Sequence, residues 1–227
     1  MGSTTSAPEP DRRPIRARSH PVWVRAAGAL TRAGFSANAI SIVGMVAGLA
    51  AGAALATTPL ATAPWPRVLW ACAAVLIVKR LLCNMLDGMV AINSGRASPL
   101  GQIFNEVPDR VSDAAALVGL GYATGSNPTL GWAAASAAIF VAYIRAAAKV
   151  AGAPQDYRGP MAKQQRMFIV ILVALFAAIA PADWQPTVSR DGWSIPIAAL
   201  WLITIGCILT AIRRLGRASS ILRQNHA

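Results

Sequence analysis

The sequence predicts an all-α integral membrane protein, with six transmembrane helices behind an N-terminal interfacial amphipathic helix. Three observations carry this expectation. Hydrophobic residues make up 55% of the 227 positions and charged residues only 13%, with a mean hydropathy of +0.48, a balance typical of multi-span membrane chains rather than soluble domains. Apolar runs at 39–56, 68–93, 108–125, 130–150, 168–182 and 195–212 suit the crossing of a hydrocarbon core of roughly 30 Å, the fifth run being short. The third observation is where the basic residues fall. Arg12, Arg13, Arg16, Arg18, Arg25 and Arg32 precede the first run, and Lys79, Arg80, Arg96 and Arg110 flank or occupy the second connection. Arg145, Lys149, Arg158, Lys163 and Arg166 surround the fourth connection, and Arg213, Arg214, Arg217 and Arg223 follow the last run. Only Arg67 and Arg190 fall near the first and fifth connections, and the third has no basic residue. This is the positive-inside pattern. It places both termini and the even-numbered connections in the cytoplasm of a multi-pass inner-membrane protein.

Residues 1–20 are polar and rich in Arg and Pro with no apolar core, which reads as a disordered basic cytoplasmic tail and not a cleavable secretory signal. Segment 21–34, P-V-W-V-R-A-A-G-A-L-T-R-A-G, sets Trp23, Ala27 and Leu30 on one side with Arg25 and Arg32 elsewhere, the pattern of an interfacial amphipathic helix. Residues 35–214 form the six-helix membrane domain, and 215–227 a basic cytoplasmic tail. The small-residue run A-G-L-A-A-G-A-A-L-A in the first span suits close helix packing. Trp65, Trp70, Trp132, Trp184, Trp193 and Trp201 lie mostly near span ends, as an aromatic belt requires.

Several function classes are excluded. A net charge of +12 distributed by topology serves orientation and attraction to anionic membrane lipid, not nucleic acid. Cys72, Cys83 and Cys207 fall within apolar runs and form no C-x-x-C pair, and the two histidines, His20 and His226, sit in the tails. A disulfide framework, a zinc site and a Ser/His/Asp triad therefore have almost no material. No Walker loop or dinucleotide fingerprint is present.

The informative segment is 84–113, N-M-L-D-G-M-V-A-I-N-S-G-R-A-S-P-L-G-Q-I-F-N-E-V-P-D-R-V-S-D, which holds four of the nine acidic residues in otherwise apolar surroundings. Ionisable groups at such positions are costly and mark function. Asn84, Asp87 and Ala91 share one helix face at steps of three and four, and Asn105, Asp109 and Asp113 share a face of the next helix. The connection N-S-G-R-A-S-P-L-G between them is short, so the two faces meet as antiparallel neighbours at the cytoplasmic end. Two such faces turned together form an oxygen-rich cage suited to a hard cation and, through it, a phosphate. Gly88 and Gly101 leave room for a ligand to approach the backbone. A plainer alternative is that these groups only join two helices by hydrogen bonds, with Arg80 and Arg110 placed to pair with the acids.

These residues also carry a family resemblance. The segment resembles the signature of the CDP-alcohol phosphotransferases, D-x-x-D-G-x-x-A-R-x8-G-x-x-x-D-x-x-x-D. Asn84, Asp87, Gly88, Ala91, Ile92, Gly101, Asn105 and Asp109 fall on its eight positions without a gap, and five match outright. S-A-N-A-I-S, with Asn38 and Ser41, resembles the family's P-N-x-x-T opening, and Y-I-R-A at 143–146 resembles its fourth helix. The resemblance implies transfer of a phosphatidyl group from CDP-diacylglycerol to a small alcohol or alcohol phosphate, such as glycerol 3-phosphate or an inositol phosphate, with release of CMP. It implies two divalent cations, Mg²⁺ or Mn²⁺, held by Asn84, Asp87, Asn105 and Asp109. Asp109 is then the general base, and Asp87, Gly88, Ala91 and Gly101 border the CDP moiety. A homodimer is implied by the same analogy.

Three positions depart from the pattern. Asn stands for Asp at 84 and 105, and Ile92 stands where the family has Arg. Glu106 or Asp113 is expected to supply the missing negative charge and Arg96 the missing positive charge. In the fourth connection, Lys163 and Arg166, joined by Arg145, resemble the basic loop that meets an acceptor phosphate, although topology and lipid binding alone would also account for them. Two other readings differ in outcome: a noncatalytic relative binds a CDP-lipid without releasing CMP, and a cation transporter needs a polar route into the outer half of the helices.

Overall fold

The computed structural model describes residues 20–95, 99–185 and 192–224. Among the described residues are seven α-helices: α1 (Pro21–Arg32), α2 (Ala37–Ala56), α3 (Trp65–Asn93), α4 (Pro99–Tyr122), α5 (Pro128–Val150), α6 (Lys163–Ile179) and α7 (Ile195–Gln224). Short single-turn helices at Thr58–Leu60 and Ala182–Trp184 occupy two connections. Four helices, α2, α3, α5 and α7, are long and apolar enough to cross a membrane, and the chain is a membrane protein. Helix α4 carries Glu106, Asp109, Arg110 and Asp113, and α6 has only 17 residues, so neither meets that standard by composition and length alone.

Helix ends follow local chemistry. Ser36 caps α2 by accepting a hydrogen bond from the Ala39 N–H at 3.2 Å, Asn127 caps α5 through the Leu130 N–H at 3.3 Å, and Pro128 occupies the first position of α5, where its missing N–H costs nothing. Two helices outrun their apolar cores. Helix α4 starts nine residues before the run at 108–125, because its polar first half has one face turned into the bundle; Pro108 lies inside it. Helix α7 continues through the basic segment to Gln224, where Arg214 donates to the Arg158 carbonyl at 3.0 Å and Arg217 meets Asp156 at 2.9 Å. A hydropathy run ends at the first charges, whereas a helix continues wherever those charges find partners.

Helices α3, α2, α4, α5, α7 and α6 pack in that order as a closed ring, and α1 lies against α3. The α2–α4 seam is the tightest. A Cβ added to Gly48 would lie 2.3 Å from the Ser112 Cβ, and one on Gly119 would lie 2.3 Å from the Gly52 carbonyl oxygen. Only glycine permits that approach, and it sets α2 directly against the second half of α4, from Ser112 to Gly119. The main core, with Leu55, Trp70, Ile77, Leu117, Leu120, Leu200 and Ile203, fills the ring beyond this polar region. Trp70 is 1% exposed, so it belongs to the core and not to an aromatic belt. The face of α1 bearing Trp23, Ala27 and Leu30 packs in a second cluster with Cys83, Met85, Met89 and Val90 of α3.

Candidate functional site

The polar region lies where α3 and α4 face each other, with α2 on one side and the start of α6 on the other. Helical spacing aligns Arg80, Asn84 and Asp87 along α3, and Asn105, Asp109 and Asp113 along α4. A continuous hydrogen-bond chain joins them. Ser41 of α2 donates to Asp87 Oδ2 at 2.6 Å, and Asn105 Nδ2 lies 3.5 Å from Asp87 Oδ1. Asn84 Nδ2 donates to Asn105 Oδ1 at 3.1 Å and to Asp109 Oδ1 at 2.8 Å. Lys163, the first residue of α6, closes the chain: its Nζ sits 2.5 Å from Asp109 Oδ2 and 2.9 Å from Asn84 Oδ1. Ser41, Gly44, Arg80, Asn84, Asp87 and Asp109 line a narrow crevice between α2, α3 and α4.

Below this chain lies a buried arginine layer. Arg80 binds Asp109 Oδ1 at 2.8 Å, Asp113 Oδ1 at 2.9 Å and the Ser112 hydroxyl at 2.7 Å. Arg166, 2% exposed, reaches Asp113 Oδ2 at 3.4 Å and the Met161 carbonyl at 2.9 Å. Pairing of this kind is what permits charges inside an apolar bundle. Past Asp113 the ring is closed by Ala116, Leu117 and Leu120, so the polar region does not continue as an ion path through these residues.

The structure thus brings together Asn84, Asp87, Asn105, Asp109 and Lys163. Gly88 is buried and Ala91 half-buried on the same helix as Asp87; Gly101 lies near the start of α4. The two residues expected to add negative charge have other partners. Asp113 is taken by Arg80 and Arg166. Glu106, 48% exposed, is held between Arg110 at 2.7 Å and Arg145 at 2.5 Å, and Arg145 also stacks over the Tyr157 ring at 5.1 Å. Ile92 is 55% exposed, and Arg96 lies outside the described residues. Ser41, Arg80 and Ser112 are members of the site that spacing within the signature does not reveal, because each acts across helices.

The residues present fit a hard divalent cation. Asp87 is 2% exposed yet forms no ion pair among the described residues, a costly state for a carboxylate that a bound cation relieves. Its neighbours Ser41, Asn84, Asn105 and Asp109 each carry a side-chain oxygen of the type Mg²⁺ and Mn²⁺ take, and Asn105 turns its Nδ2 to Asp87.

No family model matches the chain. Individual relatives do. A phosphatidylinositol phosphate synthase of Mycobacteroides abscessus is 25% identical over 200 residues, covering 83% of this chain and 80% of that protein. An archaetidylinositol phosphate synthase of Aeropyrum pernix is 30% identical over 128 residues, 51% of this chain and 66% of that protein. The Escherichia coli inner membrane protein YnbA is 29% identical over 175 residues, 76% of this chain and 82% of that protein. Among solved structures, the Mycobacterium tuberculosis phosphatidylinositol phosphate synthase with CDP-DAG bound matches with a TM-score of 0.68 at 21% identity, over 88% of this chain and 94% of that one. The same enzyme in complex with manganese and citrate matches with a TM-score of 0.67 at 22% identity, over 86% of this chain and 88% of that one. These structural likenesses establish a shared fold.

Proposed function

The chain belongs to the CDP-alcohol phosphatidyltransferase family and is a CDP-alcohol phosphotransferase, and on that basis we propose that it transfers the phosphatidyl group of CDP-diacylglycerol to a phosphorylated polyol of the inositol phosphate class. The observation that carries this reading is the bonded chain Asp87–Asn105–Asn84–Asp109, which lies on the four acidic positions of the family signature. The CDP-DAG-bound neighbour supports the donor, and the names of the relatives support the acceptor class.

Asp109 accepts the proton of the attacking hydroxyl. The acceptor oxygen then bonds to the phosphatidyl phosphorus, the bridging P–O bond of the pyrophosphate breaks, and CMP leaves with the bond's electron pair. Asp87, Asp109 and the carbonyl oxygens of Asn84 and Asn105 would hold Mg²⁺ or Mn²⁺, which when bound neutralises charge developing on the phosphates. Gly88, Ala91 and Gly101 border the CDP moiety. Arg145 and Lys163 face the acceptor phosphate, a role suited to cations at the edge of the crevice. Arg166, fixed on Asp113 and Met161, positions the start of α6 from within the core.

Six spans accompany this reading, with α4 and α6 crossing as members of the closed ring, α1 at the interface, and both termini cytoplasmic. The homodimer rests on family analogy. The test of function is to incubate purified protein with CDP-diacylglycerol and Mg²⁺ or Mn²⁺, screen alcohols and measure CMP. Inositol phosphates are expected to support release, and Arg145→Gln to raise the KM for them about tenfold through loss of a charged contact. If a neutral alcohol serves as well as its phosphate, and Arg145→Gln leaves KM unchanged, the acceptor assignment fails.

A further inference from the structure

A second charged cluster adjoins the signature residues and takes no part in the hydrogen-bond chain from Asp87 to Lys163. Glu106 and Arg110 follow Asn105 and Asp109 directly, so both are turned about 100° round α4 from them, and Glu106 meets Arg145 of α5 there. Each Glu106 oxygen takes one guanidinium, Oε2 that of Arg110 at 2.7 Å and Oε1 that of Arg145 at 2.5 Å. The Arg145 guanidinium also lies over the Tyr157 ring at 5.1 Å, a contact that fixes its plane. Glu106 leaves part of this donor set unused, because the Arg110 Nε is buried and has no hydrogen-bond partner among the described residues. The Glu106 side chain is 48% exposed, against 24% for Arg110 and 14% for Arg145, so Glu106 is the member best placed to swing into water. The three aspartates of the adjoining polar layer, Asp87, Asp109 and Asp113, are matched in number by Arg80, Lys163 and Arg166. Glu106, Arg110 and Arg145 therefore leave one net positive charge, and with Glu106 turned out they leave two, the charge that a phosphate monoester dianion neutralises.

We infer that Glu106 is an internal occupant of an oxyanion seat formed by Arg110 and Arg145, and that the phosphate of the acceptor alcohol displaces it. This inference rests on the phosphatidyltransferase reading but is tested separately from it, because phosphate binding is read without turnover. A carboxylate with each oxygen on a separate guanidinium stands where two oxygens of a phosphate would sit. Phosphate is the better ligand, since it adds a second charge and a third oxygen to the same planar donors. Ion pairs as exposed as those of Glu106 are weak, so a dianion can replace it, whereas a neutral alcohol cannot. Glu106 and Arg110 are thereby specificity-determining residues: Glu106 keeps the seat closed to uncharged acceptors, and Arg110 adds a phosphate contact to those of Arg145 and Lys163. The plainer role for Glu106, a pin joining α4 to α5, has the opposite consequence, because loss of the pin would loosen both arginines and weaken phosphate binding.

The experiment is calorimetric titration of the purified wild type, Glu106→Gln, Arg110→Gln and the double variant, without donor lipid. The ligands are inorganic phosphate, a soluble inositol monophosphate, and phosphatidic acid in mixed micelles. Glu106→Gln is expected to bind both soluble phosphates about fivefold more tightly, the order expected for removing one half-exposed charge beside the ligand, and Arg110→Gln about fivefold more weakly. Adding Arg110→Gln to Glu106→Gln should cancel the gain. Weaker or unchanged binding by folded Glu106→Gln would overturn the inference, and so would a gain confined to phosphatidic acid, which would make the seat one for a lipid headgroup. Should Glu106→Gln fail to fold, Arg110→Gln alone decides, and undiminished phosphate binding by that variant would overturn it. The expected binding changes with no CMP release from any of the proteins would uphold the seat and count against the phosphatidyltransferase reading instead.

Discussion

Arg80 is the residue on which the buried charges depend. It touches Asp109, Asp113 and Ser112 at once, so its removal leaves two carboxylates short of a cation. Arg80→Met is expected to destabilise the protein by about 3–5 kcal/mol, the cost of breaking a buried charge network, read as a lowered thermal midpoint in detergent. Lys163→Met removes a charge nearer the opening and should lower turnover far more than stability. Much of the residue-level site was legible in the sequence, since the spacing of Asn84, Asp87, Asn105 and Asp109 follows helix geometry that any α-helix obeys. The contacts of Ser41, Ser112 and Lys163 were not, because they depend on which helices become neighbours. The same limit applies to Glu106: its place beside Asn105 suggested an added ligand, but proximity to Arg110 and Arg145 occupies both of its oxygens.

At the scale of elements, the glycine seam between α2 and α4 sets how closely these two helices approach. Gly52→Val would drive a side chain into the backbone carbonyl of Ala115, where a Cβ alone lies at 2.3 Å. Overpacking of this sort costs about 1–3 kcal/mol or more, and the variant should lose CMP release together with thermal stability. The connection between α5 and α6 is anchored differently. Asp156 is partly buried, which pushes its carboxyl up, but the Arg158 N–H and the guanidinium groups of Arg217 and Arg158 outweigh that and hold it below its ordinary value. A depressed carboxylate contributes stability above its unfolded-state value and loses it as pH falls through the folded one. Residues 151–162 should therefore gain proteolytic sensitivity below about pH 4, and Asp156→Asn should show that sensitivity at pH 7; equal protection of both proteins at neutral pH would remove this anchor. The extension of α7 to Gln224 is hidden from a hydropathy reading for the same reason that makes it stable, namely that Arg214 and Arg217 find partners in this loop.

For the whole molecule, the ring of α2 to α7 keeps a polar layer at one end and an apolar core at the other. The topology proposed from the basic-residue pattern has the polar end in the cytoplasm. Single cysteines placed in a background lacking Cys72, Cys83 and Cys207 test this: labels at 34 and 155 should react from one side, and labels at 125 and 192 from the other. The central claim is that this polar layer performs phosphatidyl transfer with Asp109 as base. It is tested most directly by single-turnover CMP release from CDP-diacylglycerol in the presence of Mn²⁺ and an inositol phosphate, comparing the wild type with Asp109→Asn. The wild type should release CMP, and the variant should be slower by about 10²–10⁴-fold while still binding the CDP-lipid. A wild type that binds CDP-diacylglycerol and releases no CMP, or a variant as fast as the wild type, would contradict the account.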